Sequence, residues 1–325
     1  MTSPHVNDTA STSERPQSVR DSVTAAVTEG EAGFEIAPRL SSLSPTVRAW
    51  RRFRSNKLAV VGTTIIILLV LFCFVGPLIW QTDQVTVDIT GDIDQPWGSP
   101  GHPLGTDNLG YDVLGRLMKG GQTSLTIGML AGVLATFIGT CWGAVAGYVG
   151  GPVDAVMMRV VDAGIALPAT FLLLILSAIT RPSIPLMIVV IGLVSWLVPA
   201  RLIRAEAISI KTRDYVLALR AVGGSHTRAV GRHIIPNTIG TMIVNATFQV
   251  ADAILLVAYI SFLGMGVEPP ATDWGAMLTK GIQYTYAGYY WLIFPAGLLI
   301  VITVCAFNFV GDGLRDMFDV KESVE

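Results

Sequence analysis

The sequence predicts an all-α integral membrane protein with six transmembrane helices, and three observations carry that expectation. Hydrophobic residues make up 51% of the 325 and charged residues only 14%, too apolar for an ordinary soluble domain. Uncharged runs long enough to cross a hydrocarbon core of ~30 Å occur at 58–80, 122–149, 163–180, 182–200, 237–266 (interrupted only by Asp252) and 281–311. Basic and acidic segments alternate between these runs, which orients the chain by the excess of Lys and Arg on the inner side. The net charge of −2 averages two oppositely charged surfaces, so it carries no argument for nucleic acid.

Taken in order, residues 1–37 are rich in Ser, Thr, Glu and Asp and lack the apolar core of a signal peptide, so they read as a disordered cytoplasmic tail. Residues 38–57 read as a basic interfacial elbow helix. Arg39, Arg48, Arg51, Arg52, Arg54 and Lys57 have no acidic residue among them, Ser44-Pro45 starts the helix, and Val47, Trp50 and Phe53 share one face. The first transmembrane helix, 58–80, leads to an outer loop at 81–119 with Asp83, Asp88, Asp92, Asp94, Asp107 and Asp112 against Arg116 and Lys119. Within that loop 85–90 alternates like a short strand, and the Pro and Gly of 96–105 predict ordered turns. A core domain spans 120–312. Its first helix carries Gly139, Gly143, Gly147 and Gly151 at four-residue intervals, extended by Ala131 and Ala135, a stripe that predicts close helix packing. A short inner loop is expected at 150–162, an outer turn at Arg181-Pro182, an outer segment at 267–290 and a cytoplasmic tail at 313–325. Trp80, Trp196 and Trp291 fall where interfacial anchors commonly sit.

The most informative connection is the basic loop at 201–236. It carries Arg201, Arg204, Lys211, Arg213, Arg220, Arg228 and Arg232 against Glu206 and Asp214, which places it in the cytoplasm. Asp214 is suited to cap a helix over 215–222, Gly223-Gly224 to end it in the left-handed conformation, and Ser225 to cap a second helix that meets the next span at Pro236. Such a short, bounded helix in a basic loop is built to dock something.

Cys73, Cys141 and Cys305 lie inside predicted spans, and His5, His102, His226 and His233 form no cluster, so no metal site and no catalytic site is expected. The chain has no Gly-x-x-x-x-Gly-Lys-Ser/Thr phosphate loop, so any ATP chemistry belongs to another subunit.

Four blocks carry a resemblance. The loop at 201–236 resembles the EAA loop of ABC importer permeases: Leu217-Ala218-Leu219 stands where that motif has Glu-Ala-Ala, followed at the family's spacing by Gly223 and by His233-Ile234-Ile235-Pro236. The run from His102 to Arg116 is similar to the outer-loop signature of the oligopeptide/dipeptide/nickel branch, C-type subunit, with Tyr111 and Gly115 replacing the usual arginine and serine. Ser261 to Pro270 with Asp273-Trp274-Gly275, and Asn308 to Asp316, are the third and fourth blocks, and the resemblance covers roughly 39–320. It implies a type I ABC importer permease fold with a cytoplasmic coupling helix, in the prokaryotic plasma (inner) membrane, multi-pass, both termini cytoplasmic. It implies that Arg213, Asp214, Tyr215, Ala218, Arg220, Ala221, Gly223, His226 and Pro236 couple to an ATPase, and that Gly105, Thr106, Asp107, Asp112 and Arg116 form the outer-loop motif. The implied partners are a homologous second permease (B-type), two ATPase subunits that hold ATP and Mg, and an extracytoplasmic substrate-binding protein, all in a lipid bilayer. The implied function is import of di- or oligopeptides, with import of nickel complexes as the alternative inside the family.

Asp252 is the one acidic residue deep in a predicted span, where an ionised carboxylate costs about 2.5–3.5 kcal/mol, so it should face protein or water. Two readings stand for it: a pathway-lining residue or an interhelical hydrogen bond. A secondary transporter is the rival class. It calls for intramembrane ion-coupling groups and matched broken helices in two repeats, against one aspartate and no evident repeat.

Overall fold

The computed structural model describes residues 45–85, 93–179 and 182–318. The expected tail at 1–37, the Ser44 cap, most of the strand at 85–90, Arg181 and the end of the chain beyond 318 lie outside the described residues. Residues 1–48 and 49–325 are separate units.

Helix α1 (Pro45–Ser55) begins on proline, whose fixed φ suits the first helical position, and Trp50 stacks on Phe53 at 5.9 Å. Asn56 then caps α2 (Lys57–Val70), its side-chain oxygen accepting from the N–H groups of Leu58 and Ala59. The first span continues through a π-helical turn (Leu71–Val75) to Ile79. Pro77 explains that turn: it has no N–H for the carbonyl of Cys73, four residues back, and Gln122 donates to that carbonyl instead at 2.8 Å.

Helix α3 (Val113–Val149) is the mast of the fold, 37 residues and about 56 Å long. Asp112 caps it. The predicted small-residue stripe packs closely at Gly139, Gly143 and Gly147, but its last member, Gly151, lies past a break at Gly150 as the first residue of the next helix, with nothing near where a Cβ would stand. A Cβ at Gly139 would stand 2.5 Å from the Pro199 Cβ, one at Gly147 2.6 Å from the Arg204 carbonyl oxygen, and one at Gly132 2.8 Å from Val250. Two neighbours, α7 (Leu197–Ile210) and α9 (Ile239–Phe262), therefore lie against it at backbone distance.

The expected loop at 150–162 is helix α4 (Gly151–Ala166). Two of its charges are matched from α7: Arg204 forks onto Asp154 and Arg201 reaches Asp162. The chain bends 76° at Leu167-Pro168 into α5 (Ala169–Ile179). Likewise Arg201 and Arg204 belong to a helix, since α6 (Ile184–Ser195) bends by 45° into α7 and the irregular part of the basic loop starts only at Lys211. The expected outer segment at 267–290 contains α10 (Trp274–Tyr284), and the last apolar stretch runs Tyr290–Phe318, ending in α11 (Phe294–Phe318), rather than over 281–311. The start of the expected tail at 313–325 is helical too, because Gly313 packs on Ala59 and Phe53, and Asp316 accepts from Asn56. Four helices are long and apolar enough to span alone, and each bent pair completes one more, six in all among the described residues.

Candidate docking loops and central cavity

The basic loop is held from within. Helix α8 (Asp214–Ala221) turns Val216 into a buried cluster with Ala144 and Tyr148 of α3, Ile203, Ala207 and Ile210 of α7, and Ala229 and Ile234. Lys211 Nζ donates to the carbonyl of Gly147 at 2.9 Å, tying the loop to the end of the mast. Its other face is open: Asp214, Tyr215, Ala218, Arg220, Ala221, Gly223, His226 and Pro236 are all exposed and Arg213 half-buried. Val222 at the helix end is 83% exposed, an apolar tip two residues beyond the exposed Arg220.

Asp214 does not cap α8. Arg213 holds the extended capping position and Asp214 is the first helical residue, where its charge still complements the helix dipole. The other end matches expectation. Gly223 has φ +80°, its N–H donates to the Arg220 carbonyl, and the Gly224 N–H donates to the Leu219 carbonyl, the paired bonds of a Schellman stop. Ser225 Oγ accepts from the Arg228 N–H and starts the next turn. Sequence reasoning missed the anchors Val216, Tyr148 and Lys211, because nothing local sets Val216 apart from its apolar neighbour Leu217, which stays exposed.

In the acidic loop the motif residues are scaffold. Thr106, Asp107, Asp112 and Arg116 are buried. Asp107 accepts from the N–H groups of Leu109 and Tyr111, and Asp112 from Gly115 N–H and Trp80 Nε1, with His102 Nδ1 at 3.1 Å from its second oxygen. Gly105 at φ +79° brings its backbone onto Gln95, where a Cβ would collide. Arg116 lies 3.7 Å over the Tyr111 ring and donates to the carbonyl of Pro270, 154 residues on. Trp274 completes the joint, its N–H donating to Ser124 Oγ and its indole N–H to the Leu117 carbonyl. Nearby Lys280 is held below the usual lysine range, first by burial and then by Arg116, with Asp107 opposing. The outer-loop motif and the block at 261–275 are thus two halves of one clamp on the upper end of α3.

A cavity of about 820 Å³ opens where the two bends meet. Leu167, Pro168 and Thr170 line it from the α4–α5 bend, Ser195, Leu197 and Val198 from the α6–α7 bend, and Gln249, Asp252, Leu256 and Tyr259 from α9. Asp252 is exposed in this chain.

An all-helical body with up to six spans and an anchored, outward-facing loop helix defines a multi-pass inner-membrane permease. The chain belongs to the family of binding-protein-dependent transport system inner membrane components, whose model matches residues 139–323. A second model, the N-terminal transmembrane domain of oligopeptide transport permease C, matches 44–96. The dipeptide transport system permease protein DppC of Bacillus subtilis is 36% identical over 280 residues, 86% of this chain and 87% of that protein. The oligopeptide transport system permease protein OppC is 39% identical in Bacillus subtilis, covering 86% of this chain and 91% of that protein. OppC of Escherichia coli K12 is 38% identical, covering 84% and 90%.

Proposed function

We propose that this chain is one membrane-spanning half of an ATP-driven importer for di- or oligopeptides. A homologous second permease completes the pathway, a substrate-binding protein delivers cargo from outside, and two ATPase subunits, which hold ATP and Mg, act from the cytoplasm. Both termini and the basic loop are cytoplasmic on this reading, as the positive charge of 201–236 supports. The observation that carries it is α8, a rigid eight-residue helix locked to α3 and α7 on one face and bare on the other. A partner that pushes on α8 moves the mast and the bent span together, because Val216 and Lys211 leave the loop no slack. The cavity lined by Asp252 is read as a stretch of the pathway: broken helices are tolerated at membrane depth only where they are buried in protein or line water. Deleting the chain from its native cells should abolish uptake of labelled di- and tripeptides, and restoring it should return that uptake. Unchanged uptake in the deletion strain would defeat the proposal.

A further inference from the structure

Asp252 is the only charged residue among those that line the cavity; the rest are aliphatic, aromatic or neutral, with Thr170, Ser195, Gln249 and Tyr259 supplying polar atoms. The helix ends at the cavity come in opposite pairs, the close of α4 with the start of α5 and the close of α6 with the start of α7, so their dipoles largely cancel. The Ser195 carbonyl is already taken by Gln249. The field inside is therefore set by one carboxylate with low-dielectric walls around it, which concentrates cations and repels anions. The volume falls in the ordinary range for a small-molecule site.

We infer that this cavity recognises the amino-terminal ammonium of a passing peptide, with Asp252 as the group that receives it. The inference rests on the reading of the chain as a peptide permease. An ammonium is the one cation every unblocked peptide carries, so a single carboxylate grips all such cargo alike. Walls without further charge then pass unrelated side chains with little discrimination, and one contact rather than several lets the peptide leave again.

Two measurements test it in membranes containing the complete transporter. Asp252→Asn should lower the maximal uptake rate of a labelled tripeptide with a free amino terminus about tenfold or more, the loss expected for one charge-assisted hydrogen bond, while Asp252→Glu keeps most of it. Separately, Val198→Cys, exposed on the cavity wall, is placed in a chain with Cys73, Cys141 and Cys305 changed to Ala. The ratio of its labelling rates by a trimethylammonium-ethyl and a neutral hydroxyethyl thiosulfonate should fall at least about threefold when Asp252→Asn is added. An unchanged ratio, or Asp252→Asn uptake equal to that of the parent, would overturn the inference. A parent that imports no peptide would instead overturn the function on which it rests, and the labelling ratio would still decide whether the cavity selects cations.

Discussion

Gln249 Nε2 donates a 2.6 Å hydrogen bond to the backbone carbonyl of Ser195, 54 residues earlier in the chain. That carbonyl is free because Pro199, four residues on, has no N–H to give it. The Pro77, Cys73 and Gln122 set repeats the device in the first span. A carbonyl freed in this way has lost its helical donor, and a glutamine from the neighbouring helix supplies one and makes the bend permissible.

Gln249→Leu should therefore destabilise the detergent-purified protein by about 1–3 kcal/mol, the cost of an unsatisfied buried acceptor. Adding Pro199→Ala restores a backbone donor to Ser195 and should recover much of the loss. Thermal unfolding of the two single variants and the double variant checks this, and additive losses would show that Gln249 serves some other purpose.

The fork between Arg204 and Asp154 ties α4 to α7, with its two contacts at 2.5 and 2.6 Å. Arg204→Ala should cost about 1–3 kcal/mol. Arg204→Lys should recover only part of it, because an ammonium cannot make the planar two-point contact. A charge swap at both positions should restore more than either single change does, read as a positive coupling in a double-mutant cycle.

Orientation is open to a direct probe. In a chain without its native cysteines, Trp97→Cys on the acidic loop should react with an impermeant thiol reagent added outside intact cells, and Thr212→Cys should react only after permeabilisation. Both positions are exposed in the structure. The reverse pattern would invert the assignment of sides.

At Gly223 nothing lies within 4 Å of where a Cβ would stand, so size alone is no obstacle; the constraint is the φ of +80°. Gly223→Asn, which tolerates that conformation, should keep most transport and most substrate-stimulated ATP hydrolysis by the assembled complex. Gly223→Val should lose most of both, since a branched residue costs roughly 1–2 kcal/mol or more there. Equal activity in the two variants would remove the helix stop from the coupling route.

The apolar spans and the basic loop were readable in the chain because they depend on local facts: runs without charge, a glycine pair after eight residues, small residues at a spacing of four. The breaks were also partly written there. Pro168 and Pro199 stand inside apolar runs, and each must disturb the helix four residues before it. Their angles, 76° and 45°, depended on what the freed backbone could find, which for Pro199 is a glutamine 50 residues further along.

By itself the sequence determined the number of apolar spans, the charge asymmetry across them and the stop of α8, since each follows from burial cost and backbone conformation within a few residues. Only the tertiary structure decided that Asp154 and Asp162 lie on a helix, that Thr106, Asp107, Asp112 and Arg116 are scaffold, and that Asp252 opens on a cavity. Those outcomes turn on partners far away in the chain: Arg204 and Arg201 across α7, Pro270 under Arg116, and two bends meeting beside α9. A charge is stable away from water only once its counterpart is in reach, and that distance is set by how the helices stack.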